Sequence, residues 1–213
     1  MRKLRRVVIC GAGISGLSCA AFLARNGWQV TVVDHARGPR PQGYMIDFFG
    51  PGWLPADSLG IIPRLHELGY RVQRLDYVDR KGESRASLPL AKFANVARGE
   101  LISLLRPDLE LAIREVLPPD LDLRYGCTVS AVRQSSESVI VTLDDGGSLE
   151  ADLLIGADGI HSAVRELVFG PEDEFLHYLG FQVGAYSFHD SDLAARIGDR
   201  VAVTDTRSEA MFF

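Results

Sequence analysis

Residues 5–16 read Arg5-Arg6-Val7-Val8-Ile9-Cys10-Gly11-Ala12-Gly13-Ile14-Ser15-Gly16, and the fold turns on them. A short apolar run rich in Val and Ile that ends at glycine reads as a buried parallel strand over residues 5–10. In the GxGxxG that follows, Gly11 permits a tight turn and Gly13 lets backbone approach a pyrophosphate. Gly16 lets a helix pack close to the strand. That helix is expected over 14–26, with Leu17, Ala20, Ala21 and Ala24 on its inner face and Gly27 as its stop. A second buried strand over 28–33 delivers Asp34. The acid thus stands about 20 residues beyond the glycines, where a carboxylate can bond a ribose hydroxyl.

The basic residues of Met1–Arg6 followed by an apolar run have the layout of a secretory signal. Gly11, Gly13 and Gly16 break that run, however, and it is too short to span a bilayer as a helix. Strand, glycine turn and helix account for every position. The motif does not say which dinucleotide binds: Asp34 suits a ribose diol in NAD or in the adenosine half of FAD. Arg37 suits either a 2′-phosphate or plain solvent.

Composition narrows the field. The chain has 213 residues, 46% hydrophobic and 24% charged, which suits one domain with a little over and rules out disorder. With 23 Lys+Arg against 28 Asp+Glu, the net charge of −5 gives no footprint for nucleic acid. Cys10, Cys19 and Cys127 are odd in number and widely spaced. They fit small core residues in a reducing, cytoplasmic setting rather than a disulfide scaffold. There is no Cys-x-x-Cys, no Gly-x-Ser-x-Gly and no histidine spacing suited to a metal.

Beyond Asp34 the chain does not continue in quick strand–helix alternation. Residues 38–55 are rich in turn signals, a helix is expected over 56–68, and strands over 70–79 and 83–90. A further helix begins near Arg106-Pro107-Asp108 and ends at Pro118-Pro119. Then come a strand over 122–125 and a three-stranded meander over 128–133, 138–143 and 148–152. The meander feeds an apolar strand over 153–155 and the string Gly156-Ala157-Asp158-Gly159-Ile160-His161-Ser162-Ala163-Val164-Arg165.

A ribose acid after GxGxxG, a β-meander, and a strand ending in GADGxxSxVR resemble the single-component FAD-dependent monooxygenases of the p-hydroxybenzoate hydroxylase type. The order and spacing of two further segments are similar to the tetracycline-inactivating branch. The resemblance covers about residues 4–170. It implies an α/β fold: a Rossmann-like FAD-binding domain of parallel sheet, helices and three-stranded β-meander, plus the start of a β-sheet substrate domain. The corresponding boundaries are 1–172, with a substrate-domain-type insertion at about 70–95, and 173–213.

The resemblance also implies site residues. Gly11, Gly13, Gly16 and Asp34 are expected to bind FAD, and Arg40 the nicotinamide cosubstrate. Asp47 and Arg106, with Arg98 as the fallback for the latter, are placed near the flavin. Asp158 and Gly159 are placed where the FAD pyrophosphate and entering NADPH meet. Buried arginines beside an anionic cofactor are also expected on charge alone. The chemistry implied is non-covalent FAD, NAD(P)H as reductant, and insertion of one atom of dioxygen into an aromatic or polyketide-like small molecule. No membrane or nucleic-acid partner is expected, and the sequence leaves the oligomeric state open.

Strands are expected over 179–188 and 199–205, with a helical stretch at 193–197, as the opening of the substrate sheet. The family's later Gly-Asp flavin segment is absent from the sequence. Three readings therefore stand: a monooxygenase represented by its N-terminal portion, a non-catalytic nucleotide-binding remnant, or an FAD oxidase or reductase of the same fold.

Overall fold

The computed structural model describes residues 4–79, 81–92, 99–186, 188–204 and 211–212. They fall into two compact units interleaved along the chain: Met1–Pro41 with Leu109–Gly184, and Gln42–Asp108 with Ala185–Phe213. The expected boundary at 172 lies inside the first unit, and the stretch set into the middle of the chain is wider than 70–95. Among the described residues no helix is long and apolar enough to cross a membrane.

The first unit is built on a parallel sheet. Strand β1 (Arg6–Cys10) lies between β2 (Gln29–Asp34) and β11 (Leu153–Gly156), and β7 (Asp122–Tyr125) flanks β2. The central strands β1 and β2 are nearly continuous apolar runs, as befits strands buried on both faces, while β7 at the edge is more polar. Helix α1 (Ile14–Arg25) packs on β1 and β2 and buries Leu17, Ala20 and Ala21. Val8, Cys10 and Val33 join a buried cluster with Val129, Val141, Leu143 and Ala151. These last belong to an antiparallel meander of β8 (Val129–Gln134), β9 (Val139–Leu143) and β10 (Ser148–Ala151). Each fully buried aliphatic side chain contributes about 1.5–3 kcal/mol relative to exposure.

The second unit holds a sheet in the order β13 (Met211–Phe212), β12 (Arg200–Thr204), β4 (Arg74–Val78), β5 (Ser84–Pro89), in which β12 and β4 run parallel. Beside it, β3 (Met45–Phe49) pairs antiparallel with β6 (Leu101–Leu105). Three expectations are corrected. The turn-rich reading of 38–55 missed β3, because Pro41, Gly43 and Gly50 flank the apolar Met-Ile-Asp-Phe-Phe rather than interrupt it. The single helix over 56–68 is two, α2 (Trp53–Leu59) and α3 (Ile62–Leu68). Gly60 ends the first in the left-handed region, at φ +74°. No strand forms over 179–186 or at 188. Gly180, at φ +86°, turns that stretch away from extended geometry, and Phe181 and Val183 are exposed. Helix α6 (Ser191–Ile197) and β12 form close to where they were expected.

Candidate dinucleotide site

The end of β1 is a turn that only glycine can make. Gly11 has φ +108°, and its N–H donates to the Val33 carbonyl at 2.7 Å. A Cβ at Gly11 would lie 2.3 Å from the Ala157 carbonyl oxygen, and one at Gly16 only 1.8 Å from that of Gly11. So Gly11 permits the turn and Gly16 permits α1 to sit directly against it. Gly13 caps α1 in ordinary extended geometry. Among the described residues no side chain caps this helix, and no acid stands in its first turn. The N–H groups at that helix end, and the positive end of its dipole, are thereby left for an anion.

Asp34 reaches across from the end of β2. Its carboxylate is buried at 4% exposure. It accepts the Ala12 N–H at 2.6 Å and the Ala36 N–H at 2.8 Å. The acid therefore braces the glycine turn besides marking the strand end. Arg40 lies 3.6 Å from one oxygen of this carboxylate, and His35 lies 3.6 Å from the other. Arg37 is exposed.

The second glycine motif forms the wall behind the first. The Ala157 N–H donates to the Cys10 carbonyl at 2.7 Å. Asp158 accepts the Ser162 hydroxyl at 2.6 Å and the Val164 N–H at 3.1 Å, while Ser162 accepts the Arg165 N–H at 3.0 Å. These bonds cap α5 (Ala163–Phe169) and hold the turn at Gly159, which has φ +89°. Glu172 then takes both the His161 ring, at 3.0 Å, and the Arg165 guanidinium, at 3.0 Å.

Asp47 and Arg106 belong to the second unit. Asp47 stands opposite Ser103 in the β3–β6 register and accepts its hydroxyl at 2.5 Å. Arg106 opens helix α4 (Arg106–Glu115) directly after β6, with its N–H on the Tyr44 carbonyl at 3.0 Å. The chain passes so closely here that a Cβ on Gly43 would meet the Pro107 ring at 2.3 Å. The first unit thus gathers Gly11, Gly13, Gly16, Asp34, Arg40, Asp158 and Gly159, and the second holds Asp47 midway along the β3–β6 pair and Arg106 just beyond its end. Arg98 lies outside the described residues.

Comparison with known proteins decides the family. A family profile described as "FAD binding domain" matches residues 5–177. The chain belongs to the FAD-binding domain family. A protein of Mycobacterium tuberculosis (strain ATCC 25618 / H37Rv), named only as uncharacterized, is 34% identical to this FAD-binding domain chain over 188 residues. The match covers 86% of this chain and 50% of that protein. A flavin-dependent monooxygenase of Legionella longbeachae serogroup 1 (strain NSW150) is 26% identical, covering 88% and 48%. Among solved structures, tetracycline destructase Tet(55) superposes at a TM-score of 0.69 with 26% identity, covering 80% of this chain and 42% of its own. Klebsiella pneumoniae HpxO, complexed with FAD and uric acid, reaches 0.73 with 25% identity, covering 96% and 51%. The chain spans about half the length of the curated relatives it matches.

The FAD-binding domain fits its cofactor on the structure's own terms. Among the described residues no side chain caps the α1 N-terminus and no acid stands in its first turn, so its N–H groups suit a pyrophosphate. Cys10 is an inert core thiol: burial, with Asp158 nearby, pushes its pKa up to about 11. Two residues bonded to these candidates or their turns escaped the sequence reading. Ser103 left one signal, a lone hydroxyl inside Leu-Ile-Ser-Leu-Leu. Glu172 left none, since it is one acid in a run of three.

Proposed function

We propose that this chain carries the FAD-binding part of an NAD(P)H-dependent flavoprotein monooxygenase acting on an aromatic or polyketide-like small molecule in the cytoplasm. In this reading Gly11, Gly13 and Gly16 receive the FAD pyrophosphate on α1, and Asp34 orients the adenosine ribose. Asp158 and Gly159 hold the second wall of that turn and border the path of NAD(P)H, which Arg40 contacts. Asp47 and Arg106 stand beside the flavin, and the second unit opens the substrate-binding part. FAD, when bound, supplies hydride acceptance and oxygen transfer, and the protein supplies placement, fixed charge and exclusion of water.

The observation that carries the reading is the mutual lock of the two glycine motifs, in which the Ala157–Asp158 backbone fills the space a Gly11 side chain would need. The monooxygenase relatives and the FAD and uric acid held by the Klebsiella protein support the cofactor and the substrate class. Purified protein is expected to retain a yellow flavin. Gly13→Val is expected to lose it with an unchanged circular dichroism spectrum, since a side chain there occupies the pyrophosphate's approach. Unchanged flavin retention in that variant removes the site assignment. Substrate-stimulated NADPH oxidation with an oxygenated product separates a monooxygenase from an oxidase or reductase, which yields none.

A further inference from the structure

Ser103 is a polar group buried among apolar ones. It stands in the middle of β6, in Leu101-Ile102-Ser103-Leu104-Leu105, and is 4% exposed. A hydroxyl buried in such a strand is unfavourable unless it finds an acceptor. It finds one directly across the ladder, where its Oγ–H donates to Oδ1 of Asp47 at 2.5 Å. A hydrogen bond to an ionised acceptor is of the strong kind. Alanine would fill the same place in the strand, so the hydroxyl is explained by the carboxylate it meets.

The donor is fixed and the acceptor is not. The Ser103 carbonyl accepts the Tyr70 N–H at 2.7 Å. On the other side β3 and β6 are matched residue by residue, from Met45 opposite Leu105 to Phe49 opposite Leu101. Asp47 is exposed, and its side chain makes no other hydrogen bond or ion pair among the described residues. One carboxylate oxygen is therefore held from the buried side while the other stays open. Side chains two apart on a strand share a face. Met45 and Leu105, the next matched pair on the Asp47–Ser103 face, line an open cavity of the second unit together with Tyr70. The open oxygen stands on the same strand face as that wall.

We propose that Ser103 is the positioning residue for Asp47: it fixes one carboxylate oxygen so that the other accepts an N–H or O–H of the bound flavin. Ser103 itself touches no ligand. An exposed aspartate samples several rotamers, and freezing it at the moment of binding subtracts from affinity. The buried hydroxyl does that freezing beforehand. That the ligand is FAD, with Asp47 beside the flavin, rests on the reading above. The holding of Asp47 rests on the strand pair.

The test is a double-variant cycle. The 213-residue chain, freed of flavin, is titrated with FAD and followed by flavin fluorescence, with urea midpoints recorded for each protein. Ser103→Ala is expected to weaken FAD binding about tenfold, and Asp47→Ala at least as much. Adding Ser103→Ala to Asp47→Ala is expected to change affinity by less than about twofold, because a residue acting through another then has nothing to act on. Ser103→Thr keeps the hydroxyl and is expected to stay within about threefold of the parent. Where its added methyl group lowers the urea midpoint, the cycle alone decides. A Ser103→Ala effect of equal size in both backgrounds, or none in the parent, overturns the proposal. So does a loss of affinity that Ser103→Thr shares at an unchanged urea midpoint. A parent chain that binds no FAD overturns the FAD reading and this inference with it. FAD bound without coupling between positions 103 and 47 overturns this inference alone.

Discussion

At Gly16 one methyl group decides whether α1 can sit on β1, because the Cβ of any other residue would fall 1.8 Å from the Gly11 carbonyl oxygen. Neither partner is a flexible side-chain end, so Gly16→Ala must shift backbone. It is expected to cost about 3 kcal/mol, the upper end of ordinary overpacking, read as a lowered urea midpoint. Gly13→Val differs in kind. Its φ of −82° is open to any residue, so its stability loss stays near about 1 kcal/mol while its ligand loss is large. In the second unit, Asp76 is buried at 2% exposure among Ser87, Arg74 and Arg200. Burial pushes its carboxyl up, but the Ser87 hydroxyl and the two guanidinium groups outweigh that and hold it below the usual range. A folded pKa below the unfolded value of about 3.9 means that this stabilisation is complete above that pH and drains away as pH falls through the folded value. Asp76→Asn is expected to cost about 3 kcal/mol at neutral pH, chiefly by leaving the part-buried Arg200 without its carboxylate, since Arg74 is half exposed to water. The urea midpoints of variant and parent should converge in acid.

At the scale of elements, the break between α2 and α3 makes a clean test of conformation without packing. Gly60 sits at φ +74°, and a Cβ added there would meet nothing within 4 Å. Gly60→Ala is expected to cost about 1–2 kcal/mol from left-handed strain alone, measured as a lower Tm, and Gly60→Asn less. Legibility also differed by element. The first two strands could be read because each is an apolar run, largely buried and closed by glycine or acid, as at Cys10–Gly11 and at Asp34. Strand β3 could not, because its flanking Pro41, Gly43 and Gly50 speak more loudly than five residues whose partner, β6, is far along the chain. Residues 179–188 failed in the opposite sense. Their composition is that of a strand, but no neighbour among the described residues pairs with 179–186 or 188. For the site, glycine positions were readable, since backbone space is a property of the residue itself. The bonding of Asp34 to Ala12 depends on how two turns meet, which no local pattern encodes, whereas that of Asp158 to Ser162 lies within one turn.

At the scale of the molecule, the stretch around the third crossing between units is open to attack. Tyr178, Phe181 and Tyr186 are 71%, 81% and 82% exposed and outside regular structure. The first chymotryptic cuts are expected at these three residues, identified by mass spectrometry of early fragments. Early cutting confined to β1 or β9 would contradict this. The same interleaving has a consequence for synthesis. β1 leaves the ribosome well before β11, yet it pairs with that strand, and the Gly11 turn is walled by Ala157. Contacts so distant in sequence form slowly, and an emerging chain exposes its apolar strands in the meantime. Until residue 157 has been made, the glycine turn has only one of its two walls. A nascent chain shorter than that is therefore a client for chaperones before it can be a receptor for any nucleotide.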